Sequence, residues 1–149
     1  MAIISFYQAL PGNQEKASCQ LLEKCYKGNY KVLVRLSNEE LQESLNKSLW
    51  TFAQKAFVPH GSKNDPLAEV QPIYITTGTE NPNGANVLML VGTIEGVYEQ
   101  FERVFVVFDH LQGALISNIK GAMEKLQIES NQVSYYKQNA KGGWDIDKK

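Results

Sequence analysis

Two periodicities of hydrophobic residues divide the chain into strands and helices. Short runs that are apolar or alternate apolar with polar residues predict strands at Ala2–Tyr7, Tyr30–Leu36, Pro72–Thr77, Asn86–Gly92, Arg103–Phe108 and Gln132–Lys137. Helical spacing of apolar residues occurs at Lys16–Lys27, along the stripe Leu41, Leu45, Leu49 and Phe52, at Val97–Glu102 and at His110–Gln127. Because several strands are apolar throughout, we expect a sheet covered by helices on both faces.

The order of these elements predicts an α/β protein with a mixed, mostly parallel sheet. An opening that alternates strand, helix, strand and helix favours parallel strands joined by right-handed crossovers. The segment TGTENPNGAN between Pro72–Thr77 and Asn86–Gly92 contains turn signals, so these two strands are expected to form an antiparallel hairpin. A length of 149 residues fits one domain over residues 1–149, with a tail from about residue 138.

The second helix begins with a capping signal. Ser37-Asn38-Glu39-Glu40 has the spacing of a capping box, in which the Ser37 hydroxyl accepts a hydrogen bond from the Glu40 amide and the Glu40 carboxylate accepts one from the Ser37 amide. Leu36 and Leu41 flank the box as a hydrophobic staple. The sequence therefore predicts that Ser37 is the N-cap residue.

The charge of the chain is nearly balanced, with 15 basic and 16 acidic residues and a net charge of −1. Proteins that bind nucleic acid through charge normally carry a basic excess, so direct DNA or RNA binding is not expected. The N-terminal stretch MAIISFYQALPGN lacks the positive residues of a signal peptide, and no apolar run approaches the roughly 20 residues that span a bilayer. We therefore expect a cytoplasmic protein that does not contact membranes.

The cysteine and histidine residues of the chain do not have the spacing of a disulfide or a metal site. Cys19 and Cys25 lie six residues apart on the first predicted helix, which places them on different faces and prevents a disulfide between them. His60 and His110 are far apart and give no zinc-ligand spacing. The cysteines are therefore expected to pack as reduced, apolar side chains, and no cofactor or metal is predicted.

Catalytic motifs are also missing. The turn after the first strand, QALPGNQ, has a single glycine and does not form a phosphate-binding loop, and neither a Walker-type loop nor a nucleophile elbow occurs. His60, in the segment LWTFAQKAFVPHG, is the chemical candidate there. A small α/β enzyme or nucleotide-binding protein that uses His60 is thus the alternative function. No nucleophile or carboxylate partner can be assigned to His60, so a histidine that braces the loop is the simpler interpretation.

Trp50 suggests another use for the same segment. On a helical wheel it lies about 145° from the apolar stripe of its helix. Phe57 would return to the Trp50 face if the helix continued, although Pro59 requires the helix to end nearby. Exposed large aromatic residues are candidates for interface hot spots. Trp50 is therefore either covered by another segment of the chain or left open for a protein partner.

Several motifs spread along almost the whole chain occur together in one known family. They are SFYQAL, LLEKC, YKVLVRL, LW-x6-F-V-P-H (Leu49 to His60), PIYIT, NVLMLVG, ERVFVVFD and YYKQ-x3-GGW (Tyr135 to Trp144). The spacing of LW-x6-F-V-P-H is fairly specific, whereas the strands alone would not be. In these motifs the chain resembles the chi subunit family of bacterial DNA polymerase III, an accessory of the clamp-loader complex.

The resemblance implies a non-catalytic adaptor with a Rossmann-like, three-layer α/β fold. Chi subunits link the clamp loader to single-stranded-DNA-binding protein by gripping its acidic, Phe-ended C-terminal tail, so they reach DNA only indirectly. They also bind the psi subunit, or a helicase of the iron–sulfur type, through a hydrophobic surface. By position, Trp50 and Phe57 match residues of that second surface, and Pro59 and His60 form the turn that ends it.

The resemblance also implies a site for the tail peptide on the helix before the last predicted strand. Where the family carries an Arg-aromatic-Lys type of cluster, this chain has Ala122, Met123 and Glu124. Met123 can still line an apolar pocket, and Lys120 and Lys125 are the nearby cations. A pocket of Lys120, Met123 and Lys125 is expected to bind an acidic, Phe-ended peptide more weakly than Arg forks would, and with steeper salt dependence. Alternatively, the two lysines are simply a solvated helix face.

Overall fold

The computed structural model describes residues 3–36, 38–51, 61–62, 72–77, 84–93, 101–109, 113–128, 132–141 and 143–146. The helices in this part of the chain are α1 (Gln14–Lys27), α2 (Glu39–Thr51) and α3 (Gly113–Ile128). The strands are β1 (Ile3–Ala9), β2 (Val32–Leu36), β3 (Gly61–Ser62), β4 (Ile73–Thr76), β5 (Val87–Val91), β6 (Arg103–Asp109), β7 (Gln132–Gln138) and β8 (Trp144–Ile146). All six strands predicted from the apolar pattern are present.

The described strands form one sheet in the order β3-β4-β2-β5-β6-β1-β7-β8. Strand β8 runs antiparallel to β7, and the other neighbouring pairs are parallel. Because β1 lies between β6 and β7, Phe6 is opposite Val106 on one side and Tyr135 on the other. The prediction of a mixed, mostly parallel sheet is confirmed.

Hydrophobic cores on both faces of the sheet create a three-layer fold. The first core packs α1 and α2 against one face and includes Leu22 and Leu45. The second core includes Phe6 and Phe108 of the sheet together with Ile119 of α3 on the opposite face. Since successive side chains of a strand point to opposite faces, Phe6 belongs to the second core whereas Tyr7 packs against the first. The predicted Rossmann-like α/β class is confirmed.

The α1 helix follows its predicted pattern closely. Its buried residues include Ala17, Leu21, Leu22 and Cys25, the apolar face expected from the sequence. The helix ends at Lys27, where the Gly28 amide donates to the Lys24 carbonyl at 3.0 Å and Asn29 adopts a positive φ of 63°. Short polar residues such as Asn tolerate this left-handed conformation, which turns the chain toward β2.

The predicted hairpin between Pro72–Thr77 and Asn86–Gly92 is wrong. These segments form β4 and β5, which lie on either side of β2 and run parallel to it. Both strands are buried along their whole length, and strands of this kind occur in parallel sheets that are covered on both faces. Long-range burial thus outweighs the local turn signal, most of which falls on residues 78–83, outside the described residues.

The predicted N-cap of α2 is also wrong by one residue. Asn38 precedes the first helical residue, and its side-chain Oδ1 accepts a hydrogen bond from the Leu41 amide at 2.9 Å. The Asn38 carbonyl accepts the Gln42 amide at 3.2 Å. Asn and Ser are equally good N-caps, so the local sequence does not distinguish them. Ser37 itself lies outside the described residues.

Replacing Asn38 with alanine is expected to lower the free energy of unfolding by about 1 kcal/mol, because the Leu41 amide loses its cap acceptor. Urea-induced unfolding of the variant and the parent protein measures the difference. Asn38→Asp serves as the matched control, since Asp caps as well as Asn. A stability of Asn38→Ala equal to that of Asn38→Asp would show that the Asn38 side chain does not cap α2.

Two short edge strands have no counterpart in the predicted elements. β3 pairs with β4 at one edge of the sheet, and β8 pairs with β7 at the other edge, inside the segment expected to be a tail. Of the short helix predicted at Val97–Glu102, residues 97–100 lie outside the described residues. Phe101 and Glu102, which precede β6, are not helical.

Candidate docking sites

The predicted tail-binding residues lie on α3. Ile119 of this helix is fully buried, and Met123 is half-buried where it packs against the second core. Lys120 and Lys125 are exposed, and in the described part of the chain neither forms an ion pair. The helix therefore presents two lysine ammonium groups that form no described ion pair and, at Met123, an apolar side chain that is only partly covered.

The helical geometry of α3 separates these three residues into two groups. At about 100° per residue, Lys120 lies about 60° from Met123, whereas Lys125 lies about 160° from it. Glu124, which is exposed, lies about 40° from Lys120. The structure thus places Lys120 beside Met123 on one side of the helix and Lys125 on another side. Whether the three residues bind a peptide stays a prediction.

The predicted partner surface begins at the end of α2, where Trp50 is the penultimate residue. Phe57, Pro59 and His60 lie outside the described residues, as does the side chain of Trp50. The position of α2 itself is well defined by contacts with α1. The Ser44 hydroxyl donates to Glu15 Oε2 at 2.6 Å, and the Ser48 hydroxyl, one turn later, donates to Glu15 Oε1. This carboxylate fixes the register between the two helices just before Trp50.

The carboxyl ends of β1, β6 and β7, where ligands of open α/β sheets usually bind, are occupied by hydrogen bonds within the chain. Gln138 Oε1 accepts from the Leu10 amide at 3.0 Å and from Asn13 Nδ2 at 2.8 Å. Asp109 Oδ2 accepts from the Gly12 amide at 2.7 Å. The amides of Leu10 and Gly12 are therefore already engaged, and the Asp109 carboxylate would repel a phosphate. This geometry disfavours the nucleotide-binding alternative.

The two cysteines behave as buried apolar groups. Both are free, with exposures of 1% for Cys19 and 6% for Cys25. Burial raises the pKa of the Cys19 thiol to about 12, and the nearby Glu15 charge adds to this effect. Burial also raises the pKa of Cys25 to about 11, against a smaller opposing effect of Arg103. Neither thiol forms the reactive thiolate near neutral pH. The described residues contain no cluster of three metal-ligating side chains.

A groove that the sequence does not reveal lies between α1 and the start of β8, and we call it the α1–β8 groove. Its cavity volume is about 480 Å³, and its lining residues are Gln20, Leu21, Glu23, Lys24, Gly143 and Trp144. Trp144 packs against the first core and is half-buried. The signal for this site was weak, because GGWDI carries only two apolar residues and the opposing helix is distant in sequence.

A comparison with protein families matches residues 1–117 to the family described as DNA polymerase III chi subunit, HolC. The chain belongs to the chi subunit family of DNA polymerase III. The resemblance inferred from the sequence motifs is thereby confirmed. In the described part of the chain, no helix is both long enough and apolar enough to cross a membrane.

Two curated proteins of the chi family are similar to this chain. The "Probable DNA polymerase III subunit chi" of Rickettsia prowazekii is 36% identical over 138 residues, covering 87% of this chain and 82% of that protein. The "DNA polymerase III subunit chi" of Pseudomonas aeruginosa is 29% identical over 109 residues, covering 70% of this chain and 75% of that protein. Both are named as subunits of the polymerase rather than as separate enzymes.

The match to the chi family ends inside α3. Residue 117 precedes Lys120, Met123 and Lys125, and it also precedes β7 and β8. Trp50 and the segment up to His60 lie within the matched range. Family membership therefore bears more directly on the Trp50 segment than on the predicted tail-binding residues of α3, whose assignment depends on the YYKQ-x3-GGW motif that follows them.

Proposed function

We propose that the protein is a non-catalytic accessory subunit of the bacterial replicative DNA polymerase III holoenzyme. In this role it links the clamp-loader complex to single-stranded-DNA-binding protein by binding the acidic C-terminal tail of that protein. The observation that carries the proposal is the match to the chi family over residues 1–117. The net charge of −1 supports a protein that reaches DNA through a partner, because a direct contact with phosphates requires many basic groups.

The tail-binding part of the proposal assigns distinct roles to the α3 residues. Met123 contacts the apolar end of the tail, and Lys120 beside it pairs with an acidic group. Lys125, on another side of the helix, contributes to long-range attraction of the acidic tail rather than to the pocket. Glu124 lowers the local positive potential near Lys120, so the site is weaker than one built from Arg forks.

A second surface is proposed for another subunit. Trp50, Phe57, Pro59 and His60 form this surface, and its partner is a psi subunit or a helicase of the iron–sulfur type. The Glu15 contacts with Ser44 and Ser48 support this role, because they hold α2 in place against α1 immediately before Trp50. A partner that binds Trp50 would then meet a helix whose position is already fixed, which reduces the entropic cost of binding.

The direct test is a calorimetric titration of the protein with a peptide that corresponds to the C-terminal tail of the cognate single-stranded-DNA-binding protein. We expect binding at low salt and a marked loss of affinity as salt is added, because the pairing charges are exposed and therefore screened. Lys120→Glu should weaken the α3 interaction about tenfold, equivalent to about 1.4 kcal/mol, by replacing an attraction with a repulsion. Trp50→Ala should leave the affinity within about twofold.

The controls separate the tail site from general charge effects. Lys16→Glu places the same charge change on the exposed start of α1, away from α3, and should have little effect. Lys125→Glu should weaken binding less than Lys120→Glu does. Absence of any heat at low salt, even at millimolar peptide, would show that the tail-binding proposal is wrong. Equal losses in Lys120→Glu and Trp50→Ala would contradict the assignment of two surfaces.

A further inference from the structure

One wall of the α1–β8 groove is formed by Trp144, whose ring packs against a second aromatic ring behind it. The Trp144 ring meets the Tyr7 ring edge-on, with centroids 5.1 Å apart and an angle of 79° between planes. Tyr7 is in turn stacked on Tyr136 at 4.9 Å and 12°. Leu21 of α1, only 6% exposed, adds an apolar contact on the other side. Because these rings are held by one another, an apolar side chain can enter without having to order them first.

The charges around the groove leave one cation without a counterion. Glu23 is engaged by Lys27, whose ammonium lies 3.2 Å from the Glu23 carboxylate. Lys24 is exposed and, in the described part of the chain, forms no ion pair. The indole N–H of Trp144 likewise donates no hydrogen bond to a described residue. A ligand that complements this groove therefore carries a single carboxylate next to an apolar group.

The edge of the sheet beside the groove favours a peptide over a small molecule. Among the described strands, β8 has β7 on one side and no neighbour on the other. Ile146, two residues after Trp144 and so on the same face of the strand, is 53% exposed. An extended peptide can hydrogen-bond to the free edge of such a strand while its apolar side chains contact that face.

We propose that the α1–β8 groove binds the C-terminal residue of a peptide, with its apolar side chain against Trp144 and Leu21 and its carboxylate paired with Lys24. The groove lies on the face of the sheet opposite α3, so it is a second site for this class of ligand. The inference rests on the proposed function, because the peptide in question is the same Phe-ended acidic tail. It predicts two peptides bound per chain.

Trp144 itself reports on the groove. The chain contains two tryptophans, so Trp50→Phe leaves Trp144 as the sole indole. In that variant, the tail peptide is expected to shift the Trp144 emission, because the ring becomes less hydrated. The same peptide with an amidated C-terminus should bind the groove about fivefold more weakly, as expected for the loss of one exposed ion pair. Lys24→Gln, made in the Trp50→Phe protein, should abolish this difference between the two peptides.

Two further variants make the outcome specific. Lys16→Gln removes a charge from the same helix outside the groove and should preserve the difference between acid and amide peptides. Lys120→Glu should leave the Trp144 response intact, since it acts on the opposite face. Heat of binding without a change in Trp144 emission, or equal binding of acid and amide peptides, would overturn the groove assignment while the proposed function stands. Absence of both heat and emission change would instead remove the proposed function and, with it, this inference.

Discussion

Replacing Phe6 with alanine is expected to lower the free energy of unfolding by about 3–5 kcal/mol. Phe6 is fully buried in the second core, on the strand that lies between β6 and β7. Its removal takes an aromatic ring from a close-packed region where Val106 and Tyr135 flank it on the neighbouring strands, so the cavity cannot collapse easily. Small domains are typically stable by only about 5–15 kcal/mol, so this variant should be close to unfolding.

Chemical denaturation of Phe6→Ala measures this loss. Tyr26→Ala is the matched control, because it also removes an aromatic ring but from the exposed side of α1, where Tyr26 is 37% exposed. Surface changes of this kind usually alter stability by less than about 0.5 kcal/mol. Phe6→Leu, which keeps much of the apolar volume, should fall between the two. Similar losses in Phe6→Ala and Tyr26→Ala would contradict the placement of β1 inside the sheet, between β6 and β7.

The strands in the interior of the sheet were predictable because nearly all of their residues are apolar, as burial on both faces requires. β5, Val87–Val91, is buried along its whole length, and the corresponding segment is almost wholly apolar in the sequence. In α1, the spacing of Ala17, Leu21 and Cys25 likewise predicts the face that packs on the sheet. In such elements the apolar pattern and the long-range packing favour the same structure, so the sequence is sufficient to locate them.

The sequence predictions are wrong where a local turn signal opposes long-range burial, or where two neighbouring residues can serve equally well as the helix cap. The turn residues between β4 and β5 favour a hairpin, but insertion of β2 between these two strands determines their pairing. At α2, Asn38 and the preceding serine are both good N-caps, and the hydrogen bond to Leu41 decides between them. Strand β8 has only three residues, and a strand this short cannot show a recognisable alternation of apolar and polar residues.

The candidate sites differ in how far the sequence can define them. The separation of Lys125 from Met123 follows from helical spacing once α3 is accepted as a continuous helix, so it was available from the sequence alone. The α1–β8 groove was not, because it joins Lys24 to Trp144 across a distance in sequence that only the folded sheet closes. The hydrogen bonds of Gln138 to Leu10 and Asn13 are non-local in the same way.

Raising the pH from about 8 to about 11 is expected to destabilise the protein strongly, because two buried thiols and the half-buried Tyr7 phenol hold their protons more tightly in the folded chain than in the unfolded chain. Burial raises the pKa of Tyr7 from 10.0 to about 12, with a further contribution from Tyr136. The pKa values of Cys19 and Cys25 rise from 9.0 to about 12 and about 11, again mainly through burial. Below about pH 8 these groups are almost fully protonated in both the folded and the unfolded state, so the stability is fully present there.

Above that pH the unfolded chain releases the thiol protons while the folded chain retains them, so the free energy of unfolding falls until the pH passes the folded pKa values. Each group contributes at most about 1.4 kcal/mol per pH unit to this decline. Urea denaturation at several pH values measures the slope. Cys19→Ala should be less stable at neutral pH, because it leaves a small cavity, but should lose stability less steeply above pH 9. An identical slope in both proteins would show that the Cys19 thiol is not held protonated by the fold.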